Sequence, residues 1–174
     1  SISYNGEKIK KDLIVVADGV SSGWKKTIFT EIKARSISQA AYRFLLSKKN
    51  LPSIFSQNNI NLFFGRGRHF VTYPTGNEDM INFVFCKREK NHLVNDWKEK
   101  VTKQQFFKDF ELNECLRTCV SNVKTIYRWP IIESALPSEI HKKNVVLVGD
   151  AAHGMLPYLA QGANKALEDS WELA

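Results

Sequence analysis

Two short apolar runs constrain this chain more than any other feature. LIVVA at 13–17 stops at Asp18-Gly19, and VVLV at 145–148 stops at Gly149-Asp150. A brief continuous apolar run closed by a sharp turn is the pattern of a strand buried on both faces, as in a parallel sheet. In open α/β sheets, ligands sit at the carboxyl ends of such strands. A glycine there lets a ligand approach the backbone, and an aspartate accepts hydrogen bonds from hydroxyl groups. Asp-Gly is also an ordinary turn, so Asp18-Gly19 alone decides nothing. The second strand end is followed by AAHGMLPYLAQGANKALED. Pro157 sets a bend there, Gly162 permits tight backbone, and a helix starts at Gly162-Ala163-Asn164. Its unpaired N–H groups point back at the strand end and would stabilise a ligand group that becomes negative. The plainer alternative is a helix start after a loop, with Gly162 a hinge.

The rest of the chain reads as mixed structure. Asn5-Gly6 between SISY and EKIK predicts a hairpin with a type I′ turn. Ser21 or Ser22 caps a short helix running to Phe29. AAYRFLL, NLFF, HFVTY and MINFVF, punctuated by Gly65, Gly67, Pro74 and Gly76, predict a largely antiparallel sheet. Alternation of Ile81, Phe83 and Phe85 with Asn82 and Val84 gives its last strand a wetter face. Apolar spacing from Phe106 to Val123 predicts one or two amphipathic helices packed on a core. Pro130 in TIYRWPII places that strand at an edge or a bulge. From Gly162 onward a helix carries Ala163, Ala166 and Leu167 on one side.

Composition narrows the function classes. The 174 residues carry a formal charge of +7, but the basic residues are scattered in pairs such as Lys25-Lys26 and Lys142-Lys143. No nucleic-acid signature accompanies them, so the field suits anionic small molecules better than nucleic acid. No run is long enough for a membrane helix, and no signal peptide is legible. Three cysteines are a poor disulfide framework and suit a reducing, cytoplasmic compartment. Cys115 and Cys119 lack a histidine at a matching offset, so buried free thiols are expected and no metal site.

GDAAHGMLPYLAQGANKALED resembles the second FAD-binding motif of the class A flavin-dependent aromatic hydroxylases, the group of salicylate and hydroxybenzoate hydroxylases. DLIVVADGVSSGWKK resembles that family's Asp-Gly motif, AAYRFLL its aromatic-Arg strand, and GRHFVTYP its Gly-x-His-x-x-x-Tyr-Pro strand. The likeness covers nearly the whole chain. It implies an α/β (α+β) fold, part of a hydroxybenzoate-hydroxylase-like FAD-binding domain plus a mostly antiparallel substrate-domain sheet. Residues 1–34 and 134–174 would belong to the FAD-binding domain and 35–133 to the substrate part. It implies FAD as cofactor, NAD(P)H and O2 as co-substrates, and hydroxylation of a small aromatic, a phenolic acid, through a flavin C4a-hydroperoxide.

Carried over by position, Gly149 and Asp150 would meet the ribitol chain and Pro157 the flavin ring. The backbone of Gly162, Ala163 and Asn164 would hold the pyrimidine edge. Asp18 and Gly19 would shape the pyrophosphate side and the reductant's approach. His69 and Tyr73 leave one face of a predicted strand, so His69 becomes the candidate base for the phenol. Tyr73 and Gln161 would orient that phenol, and Arg43 is a candidate carboxylate partner. A hydrogen-bonded structural histidine remains the alternative for His69, and a salt bridge for Arg43. His153 reads as a loop-fixing residue, and His92 and His141 fall in polar loops.

Departures from the family pattern are visible. Lys25 stands where arginine is usual, which removes the planar fork from the expected NAD(P)H contact. Ser21 stands where histidine is common, and Gly154 replaces a frequent proline and should loosen the loop after His153. The family's Gly-x-Gly-x-x-Gly unit is missing, since Gly65-Arg66-Gly67 precedes no helix signal. The chain is therefore expected to be an internal fragment that alone holds FAD weakly or not at all. Other chemistry on the same fold (epoxidation, reduction, halogenation) stays open, as do a non-catalytic basic fragment and a homodimer.

Overall fold

The computed structural model describes residues 2–29, 34–56, 58–76, 79–89, 98–135 and 138–174. In chain order these form β1 (Ile2–Tyr4), β2 (Glu7–Ile9), β3 (Ile14–Val16), α1 (Gly23–Ile28) and β4 (Ala34–Ser47). Next come α2 (Ser53–Ser56), β5 (Asn61–Gly65), β6 (Arg68–Pro74), β7 (Met80–Arg88) and β8 (Glu99–Val101). The remainder is α3 (Lys103–Asp109), α4 (Glu114–Ser121), β9 (Ile126–Ser134), β10 (His141–Lys142), β11 (Val145–Leu147), α5 (Asp150–His153) and α6 (Gly162–Leu173). They sort into two units, Ser1–Ile37 with Ile132–Ala174, and Ser38–Ile131. His92 lies outside the described residues, and His141 stands in β10 rather than in a loop.

In the first unit β1 and β2 form the expected hairpin, with Asn5 and Gly6 both at positive φ (51° and 83°) as a type I′ turn requires. Ser22 caps α1 by accepting the Lys25 N–H at 2.9 Å. The sheet order is β10-β11-β3, and β11 runs parallel to β3 with Val145 beside Ile14 and Leu147 beside Val16. Val16, Phe29, Leu147, Ala151 and Ala152 form the core. The first run is not buried on both faces: Val15, pointing away from that core, is 47% exposed. The period-2 pleat explains this, because only the face carrying Val16 meets a packed layer. Likewise Leu167 of α6 is exposed, and the helix engages its unit through Ala166 instead.

In the second unit the strand order is β5-β6-β7-β4-β9-β8. The β5–β6, β6–β7, β7–β4 and β8–β9 pairings are antiparallel. One face carries Tyr42, Phe44, Phe83 and Phe85, which pack with Phe106 of α3 and with Phe110. Phe44 stacks on Phe83 at 5.3 Å and meets Phe106 edge-on at 5.8 Å, the arrangements that ring quadrupoles favour. Val84 and Cys86, on the face expected to be wetter, are also buried. Pro130 does not mark an edge strand, since β9 lies between β4 and β8. The β8 ladder covers only Ile126 to Arg128, so Pro130 sits beyond it, where no N–H is needed on that side. Of the paired thiols, Cys119 is buried but Cys115 is exposed, because the buried stripe of α4 runs through Leu116, Cys119 and Val120. Among the described residues no cluster could hold a metal ion, and no helix is long and apolar enough to cross a membrane.

Candidate functional site

The parallel register brings the two Gly/Asp strand ends together. The Val148 N–H donates to the Val16 carbonyl at 3.1 Å, so Asp18-Gly19 and Gly149-Asp150 leave adjacent strands at the same end. The head of α6 lies beside the second of these ends. A Cβ on Gly162 would stand 3.6 Å from Asp150 Oδ1, and one on Gly149 would stand 3.1 Å from the Ala166 Cβ. Gly149 has φ of 56°, where a side chain is strained, so glycine is required by backbone and by space together. No side chain caps α6, which leaves the N–H groups of Gly162, Ala163 and Asn164 available at a twelve-residue helix start. Pro157 opens a 3₁₀ turn over Pro157–Leu159, and Gln161 is exposed at the N-cap of α6. Carboxylates for sugar hydroxyls, a close-approach glycine and a positive helix end make a donor and acceptor set that fits a flavin nucleotide.

Residues given no role, or a different one, hold this geometry. Asp169, two turns along α6 from Gly162, accepts the Gly149 N–H at 2.8 Å and pairs with His153 Nε2 at 3.3 Å and Lys165 Nζ at 3.2 Å. Burial pushes its carboxyl up, but the Gly149 N–H, Lys165 and His153 together hold it below the usual carboxylate range. Asp169 stands inside the motif that names the family, and only its register with Gly149 reveals its task. Lys25 is buried, and its ammonium donates to Ser134 Oγ at 3.0 Å. Burial lowers its pKa, while the carboxylates of Asp18 and Asp150 raise it. The ammonium is turned inward, so Lys25 braces the unit rather than meeting a reductant at the surface.

Gly154 does not loosen its loop. Its carbonyl accepts the Ser134 N–H at 2.7 Å, and an added Cβ would fall 2.7 Å from both Ser134 Oγ and Val20 Cγ2. Gly154→Ala is expected to destabilise the chain by about 1–3 kcal/mol through overpacking, read from urea unfolding midpoints. An unchanged midpoint would show that Ser134 and Val20 yield freely.

The other predicted residues lie on the second unit's sheet, on the face opposite the aromatic core. In register, His69 faces Cys86 and then Ala41; Val71 faces Val84 and then Arg43; Tyr73 faces Asn82 and then Leu45. His69 and Tyr73 therefore share a face, and Arg43 lies diagonally from Tyr73. Arg43 Nη2 donates to the Tyr73 hydroxyl at 3.1 Å. Burial lowers the His69 pKa, which keeps the imidazole neutral at pH 7 and able to accept a proton. Burial pushes the Cys86 thiol up to about 11, so it is no thiolate nucleophile beside His69.

Comparison with known proteins agrees with this geometry. Residues 3–174 match the family described as FAD binding domain, and the chain belongs to it. It is 30% identical over 187 residues to an FAD-dependent monooxygenase of a Nectria species, covering 98% of this chain and 43% of that protein. It is also 30% identical over 165 residues to the 3-amino-4-hydroxybenzoate 2-monooxygenase of Streptomyces cremeus, covering 95% and 41%. A salicylate hydroxylase substrate complex superposes with a TM-score of 0.81 at 22% identity, over 97% of this chain and 46% of that one. The fold is thus that of the class A FAD-dependent aromatic hydroxylases. The chain spans less than half the length of these relatives.

Proposed function

We propose that this chain carries the flavin-binding strand ends and the substrate sheet of an FAD-dependent monooxygenase. Its substrate is a small aromatic, a phenolic acid, and NAD(P)H and O2 are its co-substrates. The parallel pairing of Val16 with Leu147 carries this reading, because it sets the two Gly/Asp ends side by side, the second of them at the head of α6. When bound, FAD supplies the redox and oxygen chemistry. Asp150 would accept hydrogen bonds from ribitol hydroxyls, with Gly149 allowing close approach. Pro157 would border the ring, and Gly162, Ala163 and Asn164 would offer N–H groups to its pyrimidine edge. Asp18 and Gly19 would shape the pyrophosphate side. On the sheet, His69 would take the phenol proton, which enriches the ring carbon for attack. Tyr73 would orient the phenol oxygen, with Gln161 as a further substrate contact. Arg43, held by Tyr73, would pair with a carboxylate.

Asp150→Ala in the full-length protein should weaken FAD binding at least about tenfold, the size of one lost charge-assisted hydrogen bond, measured by titration of flavin fluorescence. Unchanged affinity would remove the second strand end from the cofactor site. NADH or NADPH consumption with and without salicylate or 3-hydroxybenzoate tests the reaction itself. Product formation supports hydroxylation, and no stimulation by any aromatic overturns it.

A further inference from the structure

A cleft of about 760 Å³ opens in the second unit where β4 ends and β9 begins. Arg43, Lys98 and Lys124 contribute to its wall, Tyr127 and Trp129 supply aromatic faces, and Leu45 lies among its apolar lining. Among the described residues no acidic side chain lines it. The Lys98 ammonium stands 3.9 Å from the Tyr127 ring centroid and 5.6 Å from that of Trp129. The Arg43 guanidinium carbon lies 5.8 Å from the same Trp129 ring. One indole thus gathers two cations by cation–π attraction. Among the described residues neither cation, nor Lys124, forms an ion pair. Like charges collected beside apolar surface repel each other until an anion arrives between them.

We propose that this cleft selects its ligand by charge: it takes an aromatic carboxylate, with Lys98 as a specificity-determining residue and Trp129 and Tyr127 as the platform that holds the ammonium in place. The ligand class rests on the hydroxylase reading above; the charge selection rests on the cleft alone. Lys98 donates to the carboxylate, Arg43 offers the guanidinium nitrogens that Tyr73 does not use, and the ring lies against Leu45. The volume lies in the range of pockets that bury drug-sized ligands, so a fused bicycle fits as readily as a single ring.

Calorimetric titration of the 174-residue chain with 2-naphthoate and with its neutral analogue 2-naphthamide tests this. Naphthoate should bind at least about tenfold more tightly. Lys98→Met should weaken naphthoate about tenfold and leave naphthamide unchanged, while Lys98→Arg should keep the preference. No binding of naphthoate, equal affinity for the two probes, or a preference unaltered in Lys98→Met would overturn the proposal. Hydroxylation by the full-length protein is a separate readout. Intact charge preference without turnover sinks the oxygenase reading alone, and turnover without charge preference sinks this one alone.

Discussion

Arg128→Ala is expected to destabilise the chain by about 3–5 kcal/mol, the size that follows when one partner is taken from a buried ion pair. Arg128 is only 8% exposed. Its Nη2 and Nε both donate to the Glu89 carboxylate, and its Nη1 donates to Glu99 Oε2 at 2.9 Å. The Tyr42 hydroxyl is shared between Glu89 Oε1 at 2.7 Å and Asp109 Oδ2 at 2.9 Å, and Lys87 closes the chain on Asp109 Oδ1 at 2.6 Å. Burial and these two carboxylates hold the Tyr42 phenol well above its ordinary value. Removing Arg128 takes the guanidinium from a mostly buried Glu89 carboxylate that keeps its hydrogen bond from the Tyr42 hydroxyl, so the expected loss includes a desolvation penalty as well as a lost attraction. Urea unfolding measures it, and a second substitution, Glu89→Gln, should recover part of the loss by removing the buried charge that Arg128 had balanced. A loss below about 1 kcal/mol would mean that the pair behaves as a solvated one. The same network sets an acid limit. Burial pushes Asp109 up, but hydrogen bonds from Lys87, Tyr42 and Gln105 bring it below its ordinary 3.8. Its contribution is therefore complete above about pH 4 and fades as pH falls through the lowered value.

Local chemistry made several elements legible in the sequence. Asn5-Gly6 dictates the first hairpin, Ser22 the start of α1, and period-2 alternation the strands of the second unit. What local chemistry cannot convey is which distant residues become neighbours. Val16 and Leu147 are adjacent in space, and nothing in either apolar run specifies the other; only the likeness to a family linked them in advance. Arg43 and Tyr73 were each legible as candidates, but their hydrogen bond depends on the β6–β7–β4 register. Asp169 lies within the second motif, yet its task is not legible there, because its partner is a backbone N–H twenty residues away. The inward turn of Lys25 is illegible for a related reason, since its partner Ser134 lies 109 residues away. The Arg128 network has no spacing signature at all, since Glu99 meets Arg128 through the pairing of β8 with β9, while Glu89 follows the end of β7 and reaches it only because β4 lies between β7 and β9.

Hydroxylation by the full-length protein should fall about 100-fold or more in His69→Ala, within the range that general-base catalysis supplies. The imidazole stands on β6 two residues from Val71 and four from Tyr73, so it shares a face with the residue assigned to orient the phenol. Burial lowers its pKa below the ordinary 6.5, and the neutral form is the one that accepts a proton. Activity should therefore decline on the acid side, as pH falls through the lowered value and protonation removes the base. His69→Ala should lose that limb of the kcat/KM profile along with the rate. A residue that merely supports the strand would behave differently: its loss would lower stability and leave the acid limb in place. Tyr73→Phe offers the contrast, since it removes the oxygen that receives Arg43 while leaving the proton acceptor intact. It should raise KM for a phenolic substrate and preserve the pH profile. Near-normal turnover in His69→Ala, or an acid limb that survives the substitution, would take His69 out of the mechanism and leave the phenol to ionise without help from the sheet.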